Sequence, residues 1–280
     1  MTCRKIILLF LAAVLLAACE REIDLDLKAA DPSLVVEGNV LVGLDTVINR
    51  QTLRLTASAD FTGKGSPLPV TDAQVQVEDG TTVYPYVHTA DGVYQSDFIA
   101  QKQRVYKLTI TYKGETYEAA EVPAEGPAID SLGIRFFPSV LGSPAGDFIV
   151  VNTTDPANQT NHYLWKLYIN GRLMINPSPG NIYRAIQKDE FFNGQPLVSY
   201  LPYDNFPVVA GDSAVMEQLN ISPPMYAYYY AIFNLTASSP VSGDVPPGNI
   251  KGNVVNKTKA AHPALGYFGA CTVSVKQKFL

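Results

Sequence analysis

Period-two alternation of apolar and polar residues, cut about every 8–12 residues by glycine-containing turns, dominates the first half of this 280-residue chain. Side chains of a strand point alternately to its two faces, so such a run buries one face and wets the other. Residues 52–57 and 73–78 alternate cleanly, and 106–112 (Tyr-Lys-Leu-Thr-Ile-Thr-Tyr) is the strongest strand. Asp79-Gly80, Asp91-Gly92 and Lys113-Gly114 supply turns between strands. With 34–40, 82–84, 93–95 and 116–119, about seven short strands read as an Ig-like β-sandwich over residues 31–124. No helical period competes there.

Pro123 and Pro127 bracket the candidate boundary, because proline fixes φ and removes a ladder donor. Residues 127–280 read as a second β-rich domain, with strands at 129–137, 147–152, 162–169 and 212–219. Asn170-Gly171 is a type I′ signal returning into 172–175. Pro223 and Pro224 suit the first turn of a helix near 223–237, with Tyr226, Tyr229, Tyr230 and Phe233 spaced to form its buried face. Residues 265–270 lead into a terminal strand. The expected fold class is therefore mainly β, an N-terminal Ig-like sandwich followed by a β-rich domain carrying one α-helix.

The N-terminus speaks to location. Arg4 and Lys5 precede an unbroken apolar run of 13 residues, 6–18, too short for the roughly 20 residues a bilayer core requires. That is the layout of a secretory signal. Leu16-Ala17-Ala18-Cys19 resembles the bacterial lipobox, which implies a signal peptide at 1–18, cleavage before Cys19 and lipidation of its thiol. Residues 19–30 form an acidic tether that begins Glu20-Arg21-Glu22-Ile23-Asp24-Leu25-Asp26. It resembles the signal that sends lipoproteins of Bacteroidota to the outer face of the outer membrane; a plain solvated tether and a periplasm-facing anchor remain the alternatives. Loss of Arg4 and Lys5 takes the formal net charge from −5 to −7. An acidic chain without a Lys/Arg cluster argues against nucleic acid as a partner. Cys3 leaves with the signal and Cys19 carries lipid, so Cys271, in a β-like run, is left without a disulfide partner and reads as a small buried hydrophobe.

Reactive constellations are not evident. No Gly-x-Ser-x-Gly elbow occurs, and His88, His162 and His262 stand singly, without metal-ligand spacing. Asp189 and Glu190 are adjacent, point apart along the chain and read as a solvated loop pair. No cofactor, metal or enzymatic activity is expected. The 16 tyrosines and 12 phenylalanines carry more information. Tyr183, Phe191, Phe192, Tyr200, Tyr203 and Phe206 crowd into the 31 residues 176–206, a long loop-like stretch and the candidate interaction surface, exposed to clamp a receptor barrel or, alternatively, packed on its own domain. Asp-Ser/Thr-apolar triplets place candidate O-glycosylation at Thr46, Ser131 and Ser213.

Taken in order, the lipobox, the acidic tether, Leu34-Val35-Val36-Glu37-Gly38, Phe192-Asn193-Gly194, Gly211-Asp212-Ser213, the tyrosine-rich helix and Leu265-Gly266-Tyr267-Phe268-Gly269-Ala270 resemble the DUF4249 family. Its members are lipoproteins of Bacteroidota with no assigned biochemical activity. The resemblance spans essentially the whole mature chain. It implies a non-catalytic outer-membrane lipoprotein, accessory to a TonB-dependent receptor, in capture or import of a small-molecule, peptide or glycan nutrient. The alternatives are a structural or adhesive surface lipoprotein and, less favoured, a hydrolase whose residues converge only in space.

Overall fold

The computed structural model describes residues 32–58, 67–140, 143–174, 184–237 and 250–280. The signal peptide, Cys19 and the acidic tether lie outside them. Eight strands come from the first half: β1 (Leu34–Gly43), β2 (Arg50–Ala57), β3 (Leu68–Pro69), β4 (Gln74–Glu78), β5 (Val83–Ala90), β6 (Val93–Asp97), β7 (Tyr106–Tyr112) and β8 (Glu115–Glu121). The second half supplies β9 (Ser131–Phe137), β10 (Gly146–Thr154), β11 (His162–Ile169), β12 (Arg172–Met174), β13 (Ile186–Lys188), β14 (Pro196–Tyr200) and β15 (Ser213–Asn220). A helix, α1 (Pro223–Ala237), and the strands β16 (Val255–Asn256) and β17 (Leu265–Phe279) follow. The fold is mainly β, as the alternation predicts.

Turn chemistry sets the hairpins. Asp91-Gly92, Lys113-Gly114 and Asn170-Gly171 all adopt positive φ at both positions, the geometry a type I′ turn requires. At Asp79-Gly80 the Asp79 carboxylate accepts hydrogen bonds from the Thr81 and Thr82 amides and from the hydroxyls of Thr81 and Tyr84, which hold it well below the usual carboxylate range.

β5 turns a corner. Val83 to Tyr86 pair with β4, whereas Val87 to Ala90 pair with β6. The sheet segment β17-β1-β2-β6 and the segment β4-β7-β8 thereby enclose one core, filled by Val36, Leu53, Leu55, Tyr94, Leu108, Ile110 and Phe268. Phe268 belongs to the last strand of the chain. β17 pairs in parallel with β1 and antiparallel with β15, so strands of both halves join in one sheet. Local alternation carries no signal for this pairing, which joins residues more than 200 positions apart.

Beyond β17 the sheet continues through β15, β11 and β12. One face, with Tyr163, Trp165, Leu167 and Met216, packs on Ile149 and Val151 of the three-stranded sheet β14-β10-β9. The opposite face, with Leu164, Leu219, Cys271 and Val273, is covered by α1. Ser222 caps that helix, its hydroxyl accepting the Met225 amide at 3.3 Å. Three of the four residues of the expected buried face, Tyr226, Tyr229 and Phe233, pack on this core, and Tyr230 departs from it. Met225 is fully buried and Tyr228 and Tyr229 pack beside it, while Tyr230 lies at the rim, 36% exposed. Nearly every residue from 225 to 233 is apolar or aromatic, so spacing alone does not select Tyr228 over Tyr230.

Two glycines of the Leu-Gly-Tyr-Phe-Gly-Ala box are fixed by close approach. Gly266 has φ +88°, and a Cβ there would lie 2.0 Å from the Val36 carbonyl oxygen. A Cβ on Gly269 would come 2.8 Å from Met225 Sδ, so its absence lets α1 sit down on β17.

The segment between β8 and β9 is bolted to the sheet by side chains. Thr272 Oγ1 donates to the Ala124 carbonyl (3.0 Å), Gln218 Nε2 to Pro127 (2.9 Å), Thr153 Oγ1 to Ala128 (2.9 Å) and Asn161 Nδ2 to Glu125 (3.1 Å). Trp165 Nε1 donates to Gln218 Oε1 at 3.0 Å, completing that amide. Gln218→Ala leaves the Trp165 indole donor unpaired at a fully buried site and takes from the Pro127 carbonyl one of its two donors, the other being Asn220 Nδ2. We expect a loss of about 2–4 kcal/mol in urea unfolding, against less than about 0.5 kcal/mol for Gln277→Ala on the exposed end of β17.

Candidate functional site

Two buried carboxylates shape the aromatic segment 184–206. Asp155 accepts the Tyr163 hydroxyl and, at 2.8 Å, the Gly194 amide, which ties the Asn193-Gly194 turn to β11. Asp189, 2% exposed, accepts the Asn161 amide at 2.7 Å. The expected solvated pair is thus corrected at Asp189, which the segment uses as an anchor. Glu190 stays exposed and pairs with Lys188.

The anchored segment folds onto its own core. Tyr203 is 7% exposed and donates its hydroxyl to the Trp165 carbonyl at 2.7 Å. Tyr200 packs 4.9 Å from the Trp165 ring and donates to the Arg184 carbonyl, while Phe192 and Phe206 lie against Tyr163 and Tyr203. The expectation that these rings stand free is therefore corrected at Phe192, Tyr200, Tyr203 and Phe206. Aromatics at loop spacing pack inward here because the pinned segment covers one face of β11. Phe191 alone of the described set projects into solvent, 90% exposed. Tyr183 lies outside the described residues.

A groove of about 360 Å³ runs along β14. Six consecutive residues, 196–201, line it, together with Arg184. Successive strand side chains face opposite ways, so a cavity touching all six follows the strand's edge. β14 is an edge strand of its sheet, and Val198 is 72% exposed along it. Ser199 is held at φ +53° by a bond from its amide to Asn152 Oδ1, opposite a register shift in β10. Arg184 pairs with Asp204 at 3.4 Å. These groups offer an extended apolar contact strip with a charged end.

Two acids stand apart from this groove. Glu115 accepts from Tyr117, Asn256 and, at 2.8 Å, shares a hydrogen bond with His262 Nδ1 at a strand end; these bonds lower its pKa. Glu121 is half-buried where β8, β17 and the start of α1 meet. It accepts the Tyr267 hydroxyl at 2.5 Å and the Asn253 amide at 3.4 Å, and burial raises its pKa above the ordinary 4.5. Sequence reading missed it, because Glu121 ends an ordinary alternating strand and its partners lie more than 130 residues away. His88 and His162 occupy separate places, and no three metal-ligating side chains converge among the described residues. Cys271 is fully buried, which pushes its thiol up to about 12.

Of the candidate modification positions, Cys19 lies outside the described residues. Thr46 is exposed in the β1–β2 loop, whose Asp45 is fixed by Ser274 and Lys276. Ser131 is exposed, its hydroxyl accepting the Asn152 amide. Ser213 is half-buried within β15 and accepts the Gln277 amide, so it is the least reachable of the three.

The raised pKa of Glu121 gives a pH signature. The folded chain holds the proton at a higher pH than the unfolded one, so stability falls as pH rises from 4.5 through the raised value. Glu121→Gln keeps an acceptor for Tyr267 and removes the charge. Thermal melts followed by circular dichroism are expected to place this variant above the parent at pH 7, the gap closing below the ordinary carboxylate value of 4.5.

No curated protein matches the chain. A family model described as a domain of unknown function, DUF4249, matches residues 20–277. Nearly the whole sequence is covered, the Gly266 and Gly269 close approaches and the side-chain clamp among it, and the chain belongs to the DUF4249 family.

Proposed function

We propose that this chain is a non-catalytic, lipid-anchored protein of the outer membrane that works beside a TonB-dependent receptor in capturing or importing a nutrient. The observation that carries the reading is the start of the family match at residue 20, directly after Cys19 of the lipobox-like Leu16-Ala17-Ala18-Cys19. The family match begins one residue after the Cys19 that cleavage would leave as the new N-terminus. Anchoring by several acyl chains is firm, since each buried methylene contributes about 0.8 kcal/mol. Residues 19–30 then link the anchor to the folded part, and their acidic start favours the outer face of the membrane over the periplasmic one.

Phe191 and, separately, the β14 edge are the places offered to the receptor. An exposed phenylalanine is a good anchor for a partner pocket, because aromatic side chains in desolvated pockets dominate interface energies, and Phe191 is more exposed than Phe136 or Phe279. The accompanying ion pairs, Lys188 with Glu190 and Arg184 with Asp204, form a polar surround of the kind that steers partners more than it binds them.

The tagged protein is to be recovered from detergent-solubilised outer membranes of its host, and its companions identified by mass spectrometry. A TonB-dependent receptor in near-equal amount is the expected outcome, reduced at least tenfold by Phe191→Ala. Recovery of the lipoprotein alone in mild detergent at low salt sinks the stable complex and favours an adhesive or free-standing binder. Loss of membrane association in Cys19→Ser is expected from the same cells; a variant still membrane-bound contradicts the anchor.

A further inference from the structure

Sheet edges in this fold are closed to different degrees. The large sheet ends on β12 and β16, three and two residues long, and edge strands this short discourage strand addition. In the three-stranded sheet, β14 starts with Pro196 and carries Ser199 at φ +53° opposite the register shift in β10, so its edge is bent and short of a donor. β9 has none of these guards. Among the described residues it pairs on one side only, with β10, through seven residues from Ser131–Asn152 to Phe137–Gly146 without a shift. No proline and no positive φ interrupts it.

In an antiparallel strand every second residue turns its amide and carbonyl away from the existing partner. The open side of β9 therefore presents a row of donors and acceptors to a further strand. A second observation falls on the same strand. Leu132 packs on the Trp165 core, but Ile134 and Phe136, next on that face, are 40% and 62% exposed. Arg135, the one charge of β9, lies over the Phe137 ring at 5.5 Å on the opposite face.

The sequence of β9 complements itself. Outward-facing backbone must meet outward-facing backbone, so antiparallel registers differ by steps of two. Centring on Ile134 pairs the whole strand: Ile134 meets the partner's Ile134, Leu132 the partner's Phe136, Gly133 the partner's Arg135 and Ser131 the partner's Phe137. Aliphatic and aromatic pairs of this kind stabilise sheets, and glycine leaves room beside arginine. Centring on Arg135 sets like charges directly opposite, which is destabilising. Centring on Gly133 leaves Phe136 and Phe137 beyond the pairing. The product of the Ile134 register is a six-stranded sheet with the guarded β14 at both ends, so growth stops at two. A receptor strand is a poorer occupant, because a closed barrel has no edge to give.

We propose that β9 is a self-association edge, pairing antiparallel with β9 of a second copy of this chain about Ile134. Seven residues are fewer than the roughly 20–30 a side of a stable interface, so the pairing is weak in dilute solution. It relies on anchored chains sharing one membrane, which raises their effective concentration, and in that respect it rests on the lipid-anchor reading.

Cysteine substitution in intact cells tests the register, Cys271 being fully buried and out of reach. Opposed Cα atoms of an antiparallel pair lie about 4.5–5.5 Å apart, within the roughly 4.4–6.8 Å that a disulfide spans. Ile134→Cys is thus expected to give a covalent dimer on mild oxidation. Phe136→Cys, although more exposed, is expected to give at least about tenfold less, because its two copies stand four residues, about 13 Å, apart. Co-expressed Leu132→Cys and Phe136→Cys chains are expected to cross-link to each other, which reads the same register should Ile134→Cys fail to accumulate. Absence of cross-links in both Ile134→Cys and the mixed pair overturns the proposal. So does cross-linking of Phe136→Cys equal to that of Ile134→Cys, which marks collision, or a receptor rather than a second copy joined to Ile134→Cys. The Cys19→Ser fraction from the same cells separates the two proposals. A monomer on the membrane overturns the pairing and leaves the anchor standing, whereas a dimer in a chain that Cys19→Ser does not release upholds the pairing and overturns the anchor.

Discussion

β17 is the element on which the rest depends. Nine consecutive residues of this strand, 266–274, are buried, so both of its faces are core. A strand buried on both faces reads as a continuous apolar run rather than an alternating one. Phe268 and Ala270 fill the core of the first half, and Cys271 and Val273 fill the core under α1. The polar residues in the run, Thr272 and Ser274, are not exceptions to apolar packing but the means of holding the β8–β9 segment: Thr272 bonds Ala124, and Ser274 Oγ accepts the Ile129 amide while donating to Asp45. A buried carbonyl must find a donor. Here side chains of β10, β15 and β17, with Asn161 just before β11, supply donors where no neighbouring strand does.

Engagement of polar groups separates structure from candidate function across the molecule. Asp155, Asp189, Gln218 and Asn220 have partners that fix a turn, a loop or the crossing segment, and each is accounted for by folding. The aromatic segment 184–206 belongs to the same category, since its rings bury Trp165 and Tyr163 rather than face outward. Folding leaves apolar groups exposed at several places, Phe191 and the edge of β14 among them, with Phe136 and Phe279 elsewhere.

The hairpins were legible because a type I′ turn needs positive φ at two adjacent residues, and Asp91-Gly92 and Asn170-Gly171 announce it locally. The helix was legible from Pro223 and Pro224 and most of its buried side from the spacing of Tyr226, Tyr229 and Phe233; the placing of Met225 and Tyr228 inside and Tyr230 at the rim was not, because the run from Met225 to Phe233 is apolar all round. The parallel pairing of β1 with β17 left no local trace; it is decided by which strand can bury two faces at once. The aromatic segment misled for a related reason. Spacing without period signals a loop, but it says nothing of the two carboxylates that pin the loop against a tryptophan 38 residues before Tyr203.

The clamp also constrains how a ligand can be handled. Binding proteins that close on ligand move two bodies about a few free linker residues. In this chain the crossing segment has four carbonyls held by side chains, and the sheet itself runs from β1 through β17 into β15. Opening a hinge there would break a nine-residue parallel ladder together with the buried hydrogen bonds beside it. Rigid-body closure between the two halves is therefore not open to this fold. On the proposed reading, capture takes place on preformed surfaces, and any handover comes from movement of the ligand or the partner rather than from the sheet.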